Sequence, residues 1–279
     1  MNRSKRVAIA EETVAIVQGG GCYVARDGRK VDIAEAVRRC RAATRYLTPA
    51  DVASLRDRVL SAPSENRDTR FEVVNETTLA GVARVIADGG RPAALNFASA
   101  KNPGGGFLSG SQAQEESLAR SSALYASLME AWTFYERHRA NSSMLYSDAM
   151  IVSPDCPIIR DDDGALLPEP HTATFITSPA PNAGAAEQNR PEEVPQIPAV
   201  LERRAEFVLA VAAAEGATEL VLGAWGCGVF RNDPTLVAET FSRLLRHGPW
   251  QGRFRRVVFS VLDRAAEPTI YDAFRRAFA

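Results

Sequence analysis

Three consecutive glycines and a nearby pair of glutamates are the residues of this chain best suited to chemistry. Gly104-Gly105-Gly106 is separated by seven residues from Gln114-Glu115-Glu116. Consecutive glycines let a ligand approach the backbone with no side chain in the way. Carboxylates that follow such a loop closely are candidates for general acid/base catalysis. The pattern indicates a phosphate-tolerant loop beside an acid/base pair, and therefore hydrolysis of a nucleotide-like substrate.

The two glutamates cannot act as an equal pair if they lie on one helix. Neighbouring helical residues point about 100° apart, whereas the carboxyls of a glycosidase flank the scissile bond at a separation of about 5 Å or more. We therefore expect one glutamate to transfer the proton and the other to bind substrate hydroxyls. Because a helix N-terminus stabilises the charged form, burial and the neighbouring carboxylate must raise the pKa of the acid.

A structural interpretation of the same segment stays open. Ser111 and Gln114 fit a Ser-x-x-Gln capping box, and acidic residues in a first helical turn complement the helix dipole by about 0.3–1 kcal/mol each. Capping, however, does not require three glycines and a long loop between a buried strand and a helix. Since loops carry much of the function on α/β scaffolds, the segment favours a functional site.

A second glycine-rich loop spans residues 223–234, between a buried strand and a helix that starts at Asp233-Pro234. Successive backbone N–H groups in such a loop can form an anion-binding nest for a diphosphate, and a tight structural turn is the alternative. Cys227 lies between two glycines but has no histidine near it in the sequence. A nucleophilic role for this cysteine is therefore disfavoured.

Composition excludes several classes of protein. The 279 residues are 46% hydrophobic and carry a net charge of −1. We therefore expect no binding of nucleic acid through an overall positive charge. Four scattered cysteines and three histidines predict no metal site or cofactor, and Asp161-Asp162-Asp163-Gly164 is interpreted as a solvated turn. No run approaches the roughly 18 apolar residues of a membrane span, and Glu11-Glu12 interrupt any signal peptide. We expect a cytoplasmic monomer.

Two regions with different patterning predict a domain division. Residues 1–65 form a mostly helical N-terminal extension, and residues 66–279 form the catalytic domain. The extension is predicted to contain a helix over 4–17, a short hairpin over 22–33, a helix over 34–45 and a further helix opened by Thr48-Pro49. The polar stretch 61–66 contains a proline and is interpreted as the linker.

From about residue 70, strands and helices alternate. Continuous apolar strands with crossover helices predict an α/β fold with a mostly parallel or mixed sheet covered on both faces. Both glycine loops follow strands, and ligands of such folds gather at the carboxyl ends of the strands. Strands are predicted at 71–74, 93–98, 149–152, 173–177, 219–223 and 256–261, and helices at 78–87, 114–138, 196–215, 234–247 and 267–278.

Together these motifs resemble the poly(ADP-ribose) glycohydrolase family in its compact bacterial form. Its signature of three glycines, a short spacer and Gln-Glu-Glu is specific, and the segments 74–79, 95–103, 118–125 and 223–232 are also similar to it. The resemblance covers about residues 70–262. It implies a macrodomain-like three-layer α/β/α fold with a mixed sheet, and hydrolysis of the ribose–ribose O-glycosidic bonds of poly(ADP-ribose), chiefly from chain ends.

The resemblance also implies roles for individual residues, without a metal or other cofactor. The second glutamate of the motif, here Glu116, is the catalytic acid/base, and the first, Glu115, holds ribose hydroxyls. The two glycine loops enclose the diphosphate, Phe230 packs near the adenosine, and the segment before the first crossover helix contacts the adenine. The substrate-binding set is therefore Gly104, Gly105, Gly106, Gln114, Glu76, Thr77, Gly226, Cys227, Gly228, Val229 and Phe230.

Two other functions compete with this one. A related hydrolase acts on mono-ADP-ribose attached to protein or nucleic acid, and a non-catalytic macrodomain binds ADP-ribose without cleaving it. The expected substrate is poly(ADP-ribose) or an ADP-ribosylated protein, and the expected product is ADP-ribose. A non-catalytic binder would not need Glu116, which distinguishes it from either hydrolase.

Overall fold

The computed structural model describes residues 1–279. None of its helices has the length and the hydropathy needed to cross a bilayer. Short 3₁₀ turns at Phe107–Ser109 and Pro191–Gln196 and a π-helical turn at Arg243–His247 add to the regular elements. These are α1 (Arg3–Gln18), β1 (Cys22–Val24), β2 (Lys30–Asp32), α2 (Ala34–Ala43), β3 (Arg45–Leu47), α3 (Pro49–Ser61), β4 (Arg70–Val74), α4 (Thr78–Ala87), β5 (Pro92–Phe97), α5 (Gln114–Ser121), α6 (Leu124–Glu130), α7 (Trp132–Ala140), β6 (Met150–Arg160), β7 (Leu166–Ser178), α8 (Ala183–Asn189), α9 (Ile197–Ala214), β8 (Glu219–Leu222), α10 (Pro234–Ser242), β9 (Arg256–Ser260) and α11 (Thr269–Ala277).

Seven strands form one mixed sheet in the order β3-β6-β7-β5-β8-β9-β4. The five strands from β7 to β4 are parallel, and β6 and β3 continue the sheet antiparallel at one side. Strands β1 and β2 form a separate two-stranded hairpin. Helices pack on both faces of the sheet, which confirms the predicted three-layer α/β architecture with a mixed sheet.

Alternation along the central strands explains why both faces are covered. Leu220 and Leu222 pack into one hydrophobic cluster, which includes residues of α3, α9 and α10, whereas Val221 packs into a second cluster with residues of α4 and α6. Successive residues of a strand point to opposite faces, so a strand buried on both sides carries apolar residues without interruption. The apolar runs in the sequence therefore identified the central strands.

The N-terminal extension contributes to the main sheet. Strand β3 pairs antiparallel with β6, from Arg45 opposite Val152 to Leu47 opposite Met150. The predicted helix over 34–45 ends at Ala43 instead, and three residues are too few to show a strand period. The helix that Thr48-Pro49 was predicted to open is α3, and Thr48 caps it through a capping box with Asp51. The division into residues 1–65 and 66–279 stays a prediction.

The predicted single helix over 114–138 is wrong, because the chain forms three helices there. Ser122 adopts extended backbone with φ −148° and pairs with Ile158 of β6. The N–H of Ala123 donates to the carbonyl of Pro157 at 2.9 Å. Strands β6 and β7 are 11 and 13 residues long, well beyond the predicted segments, and this long hairpin supplies the pairing partner. A contact distant in sequence thus interrupts an amphipathic pattern.

Candidate active site

Three of the predicted binding segments follow parallel strands at the same edge of the sheet. The first glycine loop follows β5, the second follows β8, and Glu76-Thr77 follow β4. Because β5, β8, β9 and β4 are hydrogen-bonded in parallel, their carboxyl ends share one edge. The structure therefore brings together the segments that the sequence analysis singled out, in the place where such folds bind ligands.

The first glycine loop lies directly against the Glu116 carboxylate. The N–H of Gly106 donates to Oε1 of Glu116 at 3.0 Å. Gly105 has φ +58°, and a Cβ at this position would lie 2.3 Å from the same oxygen. Gly104 has φ +70°, and its Cβ would lie 2.9 Å from the Phe107 ring. Glycines are thus required here by the close approach of a carboxylate and an aromatic ring, in addition to any ligand.

Glu115 and Glu116 have different environments. Glu115 is only 3% exposed, and its carboxyl accepts hydrogen bonds from the N–H of Ser99 at 2.6 Å and from Nδ2 of Asn96 at 3.2 Å. Burial raises the pKa of Glu115 to about 8, with a smaller contribution from the charge of Glu116. Glu116 is half-buried, and its second oxygen makes no hydrogen bond within the protein. Of the two carboxyls, only Glu116 therefore has an oxygen without a hydrogen-bond partner in the protein.

Replacing Glu115 by glutamine should flatten the pH dependence of folding stability. Since the pKa of Glu115 in the folded chain is about 8 and its ordinary value is 4.5, the folded state holds this proton more tightly than the unfolded state. The resulting stabilisation is complete below pH 4.5 and is lost as the pH rises through 8. Denaturant unfolding of the wild type and Glu115→Gln across this range measures the effect. Equal slopes of stability against pH would contradict it.

Gln114 connects the start of α5 to β5 and α4. Its Oε1 accepts from the N–H of Phe97 at 2.9 Å, and its Nε2 donates to the carbonyl of Leu95 at 2.7 Å and to Oγ1 of Thr78 at 3.1 Å. The capping box proposed for Ser111 and Gln114 does not form, because Ala113 is the N-cap residue and no side chain caps the helix. The amide of Gln114 fixes the helix that carries both glutamates.

In the second glycine loop, Gly226 and Gly228 differ in their surroundings. Gly226 has φ +75°, and a Cβ there would lie 2.4 Å from Nδ2 of Asn232, a buried side chain that donates to the carbonyl of Pro181 at 2.8 Å. Gly228 has no atom within 4 Å of its Cβ position, and Val229 is 80% exposed. Packing against Asn232 and the positive φ thus explain why residue 226 is a glycine. Gly228 and Val229 instead border open space.

Phe230 lies beside an aromatic residue that sequence reasoning missed. Its ring centroid is 6.0 Å from that of Tyr146, a half-buried residue with φ +57°. A non-glycine residue rarely adopts a positive φ unless its surroundings hold it there. The tyrosine is 84 residues away in the sequence, where no motif marks it.

Cys227 is expected to be inert. It is only 9% exposed, and burial raises the pKa of its thiol to about 12, so almost no thiolate forms at neutral pH. Cys22 is exposed, whereas Cys40 and Cys156 are buried. Brief alkylation of the native protein should therefore label Cys22 alone, as intact and peptide mass spectrometry would measure. Rapid labelling of Cys227 would overturn this expectation, and Cys22→Ser is the control that removes the background.

Glu76 and Thr77 both have partners within the protein. Glu76 forms an ion pair with Arg84 at 2.7 Å and accepts from Oγ of Ser260 at 3.1 Å. Thr77 caps α4 and donates to Oδ2 of Asp162 at 2.6 Å. Asp162 and Asp163 lie exposed in a turn, as the interpretation of their segment expected, and partial desolvation together with the acidic neighbours raises the pKa of Asp162. The hairpin between β6 and β7 thus reaches the start of α4.

Comparison with known proteins identifies the family. A model of the catalytic domain of microbial-type PARG matches residues 10–161. The X-ray structure of poly(ADP-ribose) glycohydrolase (PARG) from Thermomonospora curvata has a TM-score of 0.94 with this chain at 50% sequence identity, and covers 99% of this chain and 100% of that chain. The chain belongs to the microbial-type PARG family. The resemblance seen in the sequence motif is confirmed.

Two further PARG structures contain bound ligands. The T. curvata enzyme bound to the inhibitor ADP-HPD has a TM-score of 0.91 at 49% identity, and covers 99% of this chain and 100% of that chain. The Deinococcus radiodurans enzyme in complex with ADP-ribose has a TM-score of 0.83 at 51% identity, and covers 86% of this chain and 96% of that chain. No curated protein matches the chain significantly. The macrodomain-like fold agrees with these PARG structures.

Proposed function

We propose that this protein is a poly(ADP-ribose) glycohydrolase that hydrolyses ribose–ribose O-glycosidic bonds and releases ADP-ribose, chiefly from chain ends. The observation that carries the proposal is the geometry of Glu116. One carboxylate oxygen is held by the N–H of Gly106 at 3.0 Å, and the other makes no hydrogen bond within the protein. Membership of the PARG family and the ligand complexes of the two relatives support the assignment.

In the proposed reaction, protonated Glu116 donates its proton to the glycosidic oxygen, which leaves as a ribose hydroxyl as the bond to the anomeric carbon breaks. Positive charge develops on the anomeric carbon in an oxocarbenium-like state, and water then attacks, activated by the same carboxylate after it has lost its proton. Its bond to Gly106 fixes the direction of the reactive oxygen. We assign Glu115, by its place in the PARG motif, to the ribose hydroxyls beside the scissile bond, and the bonds from Ser99 and Asn96 fix the position of its carboxyl.

The remaining binding roles concern the diphosphate and the adenosine of ADP-ribose. We assign the diphosphate to the backbone N–H groups of the two glycine loops, including Gly228 and Val229, which border open space. We assign the adenosine to Phe230 and to the segment Glu76-Thr77. Within the protein Glu76 is paired with Arg84, and the Thr77 hydroxyl donates to Asp162. The reaction as proposed uses no metal.

The decisive experiment incubates the full chain with defined poly(ADP-ribose) and, separately, with mono-ADP-ribosylated protein and nucleic acid, and resolves the products by size. We expect free ADP-ribose from the polymer alone. Early release of oligomers would contradict cleavage from chain ends. Cleavage of the mono-ADP-ribosylated substrates alone would identify the related hydrolase, and tight binding of ADP-ribose without turnover would identify a non-catalytic macrodomain.

We also propose that the protein is a cytoplasmic monomer, on the basis of its composition. Size-exclusion chromatography with light scattering should give a mass near 30.2 kDa. A concentration-independent mass of twice this value would overturn the monomer.

A further inference from the structure

The N-terminal helix α1 lies against the loop that carries the three glycines. Nε of Arg3 donates to the carbonyl of Ser109 at 2.8 Å, and Nε of Arg6 donates to the carbonyl of Gly110 at 2.7 Å. Both carbonyls belong to the turn that directly follows the glycines. Hydrogen bonds with a charged donor are roughly twice as strong as neutral ones. Two guanidinium groups of one helix therefore hold the same turn of the loop.

Close packing accompanies these hydrogen bonds. Gly110 has φ +77°, and a Cβ there would lie 2.8 Å from the carbonyl oxygen of Arg3, so helix and loop touch through their backbones. Ala10 of α1 packs with Phe107 and Ala119 in a small apolar cluster apart from the two main clusters. The Phe107 ring also contacts Gly104, where a Cβ would lie 2.9 Å from it. Helix α1 therefore packs against a side chain that itself packs against the glycine loop.

The same helix holds the far end of the catalytic segment. Oγ1 of Thr13 donates to the carbonyl of Arg120 at 2.6 Å, near the end of α5. The Arg120 guanidinium in turn donates to the carbonyl of Ser111 at 2.8 Å. Arg160 of β6 donates to Oγ1 of Thr13 at 2.8 Å, so α1 is itself attached to the sheet. Both ends of the segment that presents Glu116 are thus bonded to α1.

We propose that α1 is a positioning element of the active site, with Arg3 and Arg6 holding the glycine loop so that the N–H of Gly106 stays on the Glu116 carboxylate. The inference rests on the proposed function. It assigns the N-terminal extension a role in catalysis in addition to packing against the catalytic domain. Neither arginine contacts a glutamate of the motif, so both act through the loop.

The test compares the wild type with the double variant Arg3→Ala/Arg6→Ala in the full chain. We expect kcat for ADP-ribose release to fall between about 10- and 100-fold because the reactive oxygen is displaced, with the Kd for ADP-ribose changing less than about threefold. Lys5→Ala removes an exposed cation from the same turn of α1 and should leave kcat unchanged. Arg3→Lys/Arg6→Lys keeps a cationic donor at both positions and should recover part of the loss.

Two further measurements distinguish a positioning role of α1 from a general loss of stability, and test that role independently of enzymatic activity. Val52→Ala leaves a cavity beneath α3, in the apolar cluster on the face of the sheet opposite to α1. It should lower Tm without lowering kcat. Hydrogen exchange of peptides covering residues 104–112 should be faster in the double alanine variant and unchanged in Lys5→Ala. If the wild type releases no ADP-ribose, the proposed function fails, and the exchange comparison still decides the positioning. Unchanged exchange, or a loss of kcat that Val52→Ala reproduces, would overturn the inference.

Discussion

Replacing Glu116 by alanine is expected to abolish release of ADP-ribose from poly(ADP-ribose) while ADP-ribose still binds. The substitution removes the only carboxylate of the motif with a free oxygen, and loss of a general acid/base lowers kcat by about 10²–10⁴-fold. The half-buried side chain makes one hydrogen bond, to the backbone of Gly106, so the fold should survive. Initial rates of ADP-ribose release and calorimetric titration with ADP-ribose measure the two effects.

Two companion variants sharpen this result. Glu116→Gln keeps an oxygen for the N–H of Gly106 but cannot transfer the proton, so we expect it to be as inactive as the alanine variant. Glu136→Ala removes an exposed carboxylate from α7 and should have wild-type activity. Activity of Glu116→Ala within about tenfold of the wild type would exclude Glu116 as the acid/base, given the usual size of such effects.

Gly105→Ala should be the second most damaging single change, although it adds only a methyl group. Its Cβ would lie 2.3 Å from Oε1 of Glu116, so the carboxylate must move away from the N–H of Gly106. Displacing a catalytic group by about 1 Å can cost about 100-fold in rate. We therefore expect kcat to fall by about this factor, and initial rates of ADP-ribose release will measure it.

Gly89→Ala is the matched control for this substitution. Gly89 also has a positive φ, +82°, but no atom lies within 4 Å of its Cβ position. A left-handed conformation costs a non-glycine residue roughly 1–2 kcal/mol, so both variants should lose similar stability in denaturant unfolding. Only Gly105→Ala should lose activity. Equal activity of the two variants would show that Glu116 does not depend on the glycine loop for its position.

The sequence predicted the centre of the fold better than its edges. Strands β5, β8 and β9 are buried on both faces, so their apolar runs stand out without an alignment. Strand β3 has three residues at the side of the sheet and shows no such run. The break after α5 depends on Ile158, 36 residues beyond Ser122, and no local pattern contains it. Predictions failed where a distant partner overrides local propensity.

The site shows the same division. Glycines beside two glutamates form a local motif, from which residue types and helix geometry predict one acid/base and one binding residue, and the family resemblance assigns the acid/base role to Glu116. The motif did not reveal that Glu115 has the raised pKa, because that shift comes from burial in the folded chain, which the hydrogen bonds from Ser99 and Asn96 offset only in part. Nor did it reveal Arg3, which meets Ser109 across 106 residues of sequence. A local motif thus indicates candidate reacting groups, whereas their burial and hydrogen bonds depend on tertiary contacts.

Pairing of β3 with β6 has a consequence for any shortened form of the protein. Without the first 65 residues, the backbone N–H and C=O groups of β6 opposite Arg45–Leu47 would have no strand beside them. An unprotected strand of this kind is a template for another chain, and removal of α3 would also uncover apolar surface on α9. The fragment 66–279 should therefore self-associate. By covering this strand edge and the apolar surface of α9, the N-terminal segment protects the protein from aggregation.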